Sequence, residues 1–368
     1  MIYFDNAATT ATIGSPQIFH NPSSPHALGI KAERALRDAR KAMAASLAMT
    51  NKHSTANKTI NTCPEFEEII FTSGGTESNN LAILGYVLSK QRCGTKLIYS
   101  SDEHPSILAP IRFAIERGWA SANGTGEASL VSVSHVNHET GDINDIGRIA
   151  SETKKNNPFA VIHVDGAQGF CKELICLQDV DLYTFSGHKC HGPVGTGGLW
   201  VKKGIRLTPL LHGGGQEGKL RSGTENVAAI VQMAEAAHTM AQNISANHMH
   251  VAKIKAIMQS LRDVLPDVHE NCLSSDVSPY ILNMSFLGVK GEILVHALSE
   301  KGIFVSMGAA CNSRKRTQSS LELMGFTPEI AQSAIRFSFS PFNTLAEAEQ
   351  SHGIIASTIK RLREVIRK

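Results

Sequence analysis

Residues 180–189 read Val180-Asp181-Leu182-Tyr183-Thr184-Phe185-Ser186-Gly187-His188-Lys189. The first six form a short apolar, β-prone run that predicts a buried strand, and the last four predict the turn at its carboxyl end. An ammonium group is expensive to bury, so packing gives no reason for a lysine at that point. A reason appears if the amine is used neutral, condensed with an aldehyde, because burial and nearby cations depress a lysine pKa. A surface lysine in a polar turn is the plain alternative, and the surroundings have to decide.

Upstream, Glu68-Ile69-Ile70-Phe71-Thr72 predicts a strand, Ser73-Gly74-Gly75-Thr76 a tight turn, and residues 77–88 a helix with Leu81, Leu84, Val87 and Leu88 on its buried face. Further apolar runs at 96–99, 130–133 and 160–164 predict strands, and the patterns at 106–117 and 146–155 predict helices between them. This alternation predicts βα units and a mainly parallel sheet, in which ligands bind beyond the carboxyl ends of the strands. Before these units lie an N-terminal extended arm, a turn-rich stretch 21–26 and a helical pattern over 29–47. Residues 50–64 are polar and predict an exposed loop. After them, 226–250 predicts one long helix leading out of the large lobe. Residues 281–286 and 303–305 predict strands of a smaller lobe, and Thr344 with Glu347 has the spacing of a capping box at the last helix.

The residues at the predicted strand ends are Ser73-Gly74-Gly75-Thr76, Glu103-His104, Asn137-His138-Glu139, Asp165 with Gln168, and Ser186 to Lys189. A glycine turn before a helix aims bare N–H groups and the positive end of the helix dipole at one spot, which suits a phosphate. Adding a flat imidazole, a carboxylate and a lysine on the same edge meets the needs of pyridoxal phosphate. The lysine carries the aldehyde, the carboxylate pairs with the pyridinium nitrogen, and His104 lies against the ring face.

Composition narrows the class. The balance of 36 Lys+Arg against 33 Asp+Glu is too even for a nucleic-acid or membrane surface. The N-terminus shows no signal-peptide pattern, and no window reaches the ~18 apolar residues of a membrane helix. Seven cysteines, at 63, 93, 171, 176, 190, 272 and 311, form no framework spacing and predict reduced thiols in a cytoplasmic protein. His188-Lys189-Cys190-His191 lacks a second ligand cluster, so no metal site is expected.

Six motifs together are similar to one family. They are residues 73–80 (Ser-Gly-Gly-Thr-Glu-Ser-Asn-Asn), 163–168 (His-Val-Asp-Gly-Ala-Gln), 186–189, 212–217 (His-Gly-Gly-Gly-Gln-Glu), 221–226 (Arg-Ser-Gly-Thr-Glu-Asn) and 308–311 (Gly-Ala-Ala-Cys). In this order they resemble the NifS/IscS-type cysteine desulfurases of the class V aminotransferase family, from Asp5 to about Arg363. The resemblance implies a fold-type I, pyridoxal-phosphate-dependent α/β transferase. Its large lobe (15–245) would hold a mainly parallel seven-stranded sheet. A smaller α+β lobe (1–14 and 246–368) would carry the catalytic cysteine loop.

By that resemblance Lys189 carries the cofactor, Asp165 and Gln168 contact its ring, and His104 stacks on it. Gly75, Thr76, Ser186, Gly187 and His188 hold the phosphate, and Thr224 reaches the phosphate of a second subunit in a homodimer. Arg336 and Asn137 bind substrate, the arginine as a bidentate clamp on its carboxylate; a surface salt bridge is the plain alternative for Arg336. Cys311, in a loop of small residues followed by a basic run, is the thiol that takes sulfur from L-cysteine as a persulfide, releasing L-alanine. Cys190, beside the lysine, is its rival, expected on the rigid sheet edge. Other cysteines are expected as buried filling.

The implied acceptors are an iron–sulfur scaffold or a tRNA-thiolation partner. Another class V enzyme (a selenocysteine lyase or an aminotransferase) and a catalytically silent partner-binding homologue are the competing readings. The chain departs from the family pattern at His138, where an asparagine usually approaches the phenolic oxygen of the cofactor. It departs again at Ala309, in place of a serine, and in a short tail after Arg363 that bears on scaffold docking.

Overall fold

The computed structural model describes residues 2–4, 21–51, 64–90, 95–122, 130–307 and 319–366. These fall into two compact units. One is built from the described parts of Met1–Thr10, Val136–Ile143 and Ser245–Lys368, the other from those of Ala11–His135 and Asn144–Ile244.

The larger unit is organised on a seven-stranded sheet. Its order is Ile69–Thr72, Gly197–Val201, Leu182–Ser186, Val161–Asp165, Leu130–Ser134, Lys96–Ile98 and Ser121–Ala122. Gly197–Val201 runs antiparallel to both neighbours, and every other pairing is parallel. Period-two alternation sends Ile69, Phe71, Ile162, Val164, Tyr183, Phe185 and Trp200 into one core, where the helices Ala27–Met49 and Val227–Gln242 cover the sheet. Ile70, Leu130, Val161, Leu182, Leu199 and Val201 face the other core, beneath Gly75–Ser89 and Pro105–Glu116. Covered on both faces, these strands read as continuous apolar runs rather than as alternating ones.

The smaller unit holds a three-stranded antiparallel sheet of Ala334–Ser338, Ile281–Phe286 and Val268–Glu270. Beside it Ile2–Tyr3 pairs in parallel with Ile303–Phe304. Phe4, Phe286, Phe337, Phe339 and the inner face of the helix Leu345–Ile366 share its core. Thr344 and Glu347 form the capping box in both directions: Thr344 N–H donates to Glu347 Oε2 at 2.9 Å, and Glu347 N–H donates to Thr344 Oγ1 at 3.1 Å.

Four expectations are corrected. The helix expected from residue 77 begins at Gly75, so the turn is shorter and Gly75 and Thr76 supply the first-turn N–H groups. The pattern 226–250 is two helices, Val227–Gln242 and Ile244–Gln259, because Asn243 caps the first and turns its side chain back to Thr239 O. Thr50, expected in an exposed loop, is buried, and its carbonyl accepts Ile175 N–H at 2.9 Å; residues 52–63 of that loop lie outside the described residues. Residues 136–143, expected in the large lobe, group with the smaller unit. There Ile143 N–H donates to Asp276 O, and Ile281 packs with Val136.

Candidate active site

The helix start at Gly75 is shaped by two glycines. Gly74 sits at φ 155°, ψ 178°, a conformation closed to residues with a side chain. A Cβ on Gly197, in the neighbouring strand, would meet Gly74 Cα at 2.6 Å. This close approach presses the turn against the sheet and leaves the N–H groups of Gly75 and Thr76 without intrahelical acceptors. Glu77, in the first turn, folds back. Its Oε2 accepts Ser73 N–H at 2.8 Å and its Oε1 accepts Arg221 Nε–H at 2.9 Å. Burial pushes this carboxyl up, but those hydrogen bonds outweigh it and leave the pKa lowered. The negative charge at the helix start is thus already paired, and the turn remains suited to an anion.

Asp165 ends the strand Val161–Asp165 and is buried. Its Oδ2 accepts Asn79 Nδ2–H at 2.7 Å and its Oδ1 accepts Ala167 N–H at 2.9 Å, which fixes the plane of the carboxylate. The parallel neighbour Leu182–Ser186 leads into the single 3-10 turn Gly187–Lys189. Lys189 therefore leaves the same sheet edge as Asp165, and it is half-buried. Ser186 Oγ lies 3.2 Å from His188 Nδ1. Burial, then Lys189 and Lys172, push His188 down to about 4, so it stands neutral beside the lysine. His104 caps the helix Pro105–Glu116 through Nδ1 and keeps its imidazole exposed. Gln168 is buried.

Thr224 and Arg221 line one cleft with Thr72, Ser73 and Thr196. Thr224 is exposed on this chain.

These residues fit pyridoxal phosphate by their chemistry. A glycine-built helix start faces Ser186, with a Cβ at Gly75 lying 3.4 Å from Ser186 Cβ. An anchored carboxylate and a lysine stand at the ends of adjacent strands. Gly75, Thr76, His104, Asp165, Gln168, Ser186, Gly187, His188 and Lys189 all belong to the larger unit.

Asn137 and His138 belong instead to the smaller unit, with Arg336. Arg336 is buried rather than a surface cation; its Nη1 donates to His138 O at 2.8 Å and lies 3.8 Å from Glu139 Oε1. Cys311 lies outside the described residues. Its rival Cys190 is not on a sheet edge but in the core, where Sγ points 3.3 Å from Gly187 O and burial pushes its thiol up to about 11. Cys171 is likewise buried and raised well above the ordinary thiol value by burial, whereas Cys176 and Cys272 are only partly buried. Cys63 and Cys93 lie outside the described residues. Sequence reasoning gave no role to Asn79 or Ser106. No local pattern marks them, since Asn79 stands in the polar run 76–80 and Ser106 is the second residue of its helix.

The aminotransferase class V family model matches residues 2–350. A NifS/IcsS protein homolog from Lactobacillus delbrueckii subsp. bulgaricus is 38% identical, with 95% of each chain covered. Cysteine desulfurase IscS of Buchnera aphidicola subsp. Acyrthosiphon pisum (strain 5A) is 34% identical over 99% of this chain and 94% of its own. A solved NifS-like protein superposes with a TM-score of 0.86 at 29% identity, covering 98% of this chain and 99% of that one. With the motifs, the sheet and full-length similarity in agreement, this chain belongs to the class V aminotransferase family, among its NifS/IscS-type members.

Proposed function

We infer that this chain is a pyridoxal-phosphate-dependent cysteine desulfurase, which converts L-cysteine to L-alanine and places the sulfur on Cys311. The observation that carries the reading is the anchored Asp165 at the end of one strand and the half-buried Lys189 in the turn that closes its parallel neighbour, beside a glycine-built helix start. When bound, pyridoxal phosphate supplies an aldehyde that takes amines and a ring that accepts electrons.

The chain supplies the rest. Lys189 would hold the cofactor through its aldehyde and would take the Cα proton of the substrate. Asp165, its carboxylate held by Asn79 and Ala167, would pair with the ring nitrogen. The N–H groups of Gly75 and Thr76, with Ser186 and His188, would hold the phosphate. Arg336 binds the substrate carboxylate, with Asn137 nearby in sequence to His138. Cys311 attacks as thiolate: its S–S bond forms as the Cβ–S bond of cysteine breaks, and alanine leaves after its Cβ gains a proton. The high thiol pKa values of Cys190 and Cys171 favour Cys311 for this step, since a protonated thiol is a poor nucleophile.

Persulfide on an enzyme thiol is cargo for a second protein, and iron–sulfur cluster assembly or tRNA thiolation in the cytoplasm is the destination we propose. The exposure of Thr224 supports a homodimer in which it reaches the phosphate bound by the other copy. The test is to assay sulfide and alanine from L-cysteine with a reductant, for the purified protein and for Cys311→Ala. Loss of sulfide in the variant with cofactor retained supports the reading, and undiminished release overturns it.

A further inference from the structure

We propose that Asn79 is a positioning residue that couples Asp165 to His104 through Ser106, holding the imidazole in one neutral tautomer. The inference rests on the pyridoxal-phosphate reading above and adds residues to it. Asn79, one turn into the helix Gly75–Ser89, is buried. Its Nδ2 donates one proton to Asp165 Oδ2 at 2.7 Å and the other to Ser106 Oγ at 2.8 Å. The orientation of the amide is dictated by the carboxylate, because reversing it would set Oδ1 against Asp165. Oδ1 is buried and has no hydrogen-bond partner among the described residues. An apolar residue would fill this helix position without stranding an acceptor, so the amide is explained by its two donors rather than by packing.

The direction then propagates. Ser106 N–H donates to His104 Nδ1 at 3.1 Å, so that nitrogen is an acceptor. Ser106 Oγ stands 2.7 Å from the same nitrogen. Having accepted from Asn79, the hydroxyl donates its proton to Nδ1. Both donors leave the ring proton on Nε2. The chain Asn79 to Ser106 to His104 thus sets which nitrogen of the imidazole can give a proton, while the same amide fixes the carboxylate that would pair with the ring nitrogen. Three elements meet here: the starts of the helices Gly75–Ser89 and Pro105–Glu116, and the end of the strand Val161–Asp165.

The test uses the holoenzyme, Asn79→Ala and Ser106→Ala. Two quantities are read: affinity for pyridoxal phosphate from its visible band, and the two imidazole nitrogen signals of His104 by 15N NMR, assigned by their loss in His104→Asn. The wild type is expected to show His104 protonated on Nε2 only. Ser106→Ala is expected to shift the Nδ1 signal while leaving cofactor affinity within about two-fold. Asn79→Ala is expected to shift that signal and to weaken cofactor binding by about ten-fold, the loss of one charge-assisted hydrogen bond. If Asn79→Ala does not fold, Ser106→Ala still decides the relay to His104.

A proton on Nδ1 in the wild type, or a Ser106→Ala signal identical to wild type, overturns the proposal. So does an Asn79→Ala variant matching wild type in both readouts. A wild-type protein that takes up no pyridoxal phosphate overturns the cofactor reading and this inference with it; uptake with unresponsive variants overturns the inference alone.

Discussion

Glu217 accepts hydrogen bonds from both terminal guanidinium nitrogens of Arg40, each at 2.7 Å, although the two residues stand 177 positions apart. Phe71 N–H donates to the same carboxylate at 2.8 Å, Arg40 also donates to Ile69 O, and its guanidinium lies 4.7 Å from the Phe71 ring centroid. Glu217 holds a φ of 48°, so the pair pins a turned stretch of backbone to the strand Ile69–Thr72 just before Arg221 and Thr224. The Glu217 side chain is 1% exposed. Removing its cation strands a buried charge, which costs about 3 kcal/mol or more. Arg40→Met is expected to lose that much in urea denaturation, and Arg40→Met/Glu217→Gln to regain part of it. A loss below about 1 kcal/mol would mean that water reaches the pair in solution.

Glu103 should make the protein less stable as pH rises. It is buried, accepts Ser134 N–H at 2.9 Å, and faces Asp165 and Asp102. Burial, with help from those two carboxylates, lifts it from 4.5 to about 8 against the opposing Ser134 bond. The folded protein therefore keeps a proton that the unfolded chain releases above pH 4.5, so stability falls from there to about pH 8 and then levels off. Glu103→Gln keeps the acceptor for Ser134 and cannot ionise. Relative to wild type it is expected to gain on the order of 4 kcal/mol by pH 8 and little at pH 4. Equal pH slopes for the two proteins would show that Glu103 is ionised when folded.

The strands and their ends were legible because burial on both faces forces apolar runs such as Ile69-Ile70-Phe71, and because Lys189 has no packing reason to follow one. Gly197–Val201 was not legible. It begins with two glycines and carries only Leu199, Trp200 and Val201, too short a run to mark a strand without its partners Thr72 and Ser186. The helix 226–250 misled because apolar spacing continues across Asn243, and only the cap at that residue marks the break. Asn79 and Ser106 were invisible as functional residues. Their meaning depends on Asp165, 86 positions beyond Asn79, and no local pattern records that proximity.

Arg336 separates a binding role from a structural one. It pairs in register with Asn283 on the central strand of the small sheet and donates to His138 O at 2.8 Å. If it binds the substrate carboxylate, Arg336→Lys loses a bidentate contact that a point charge cannot replace. KM for L-cysteine, measured by sulfide release, is expected to rise by roughly 10- to 100-fold with a smaller change in kcat. An unchanged KM with a lowered melting temperature would leave Arg336 as an anchor for residues 136–143 alone.

His163 opposes Glu103 in the pH dependence of stability. It is fully buried in the middle of the sheet, with Nδ1 2.9 Å from Ser132 Oγ and Nε2 3.1 Å from Thr184 Oγ1, so it links three adjacent strands. Burial pushes it from 6.5 down to about 4, against the pull of Asp165. The unfolded chain thus binds a proton below pH 6.5 that the folded protein refuses until about pH 4, and stability falls as pH drops through that interval, by about 3 kcal/mol in total. Between pH 4.5 and 6.5 the His163 and Glu103 contributions run in opposite directions with equal slope and cancel, while from pH 6.5 to 8 Glu103 acts alone. Unfolding free energies of Glu103→Gln should therefore rise steadily from pH 4.5 to 6.5, where the two groups leave wild type level. His163→Gln, which retains a side chain able to meet Ser132 and Thr184, should instead fall across the same interval. Parallel curves for wild type and His163→Gln would show that the imidazole is protonated when folded, and that water enters the sheet at its centre.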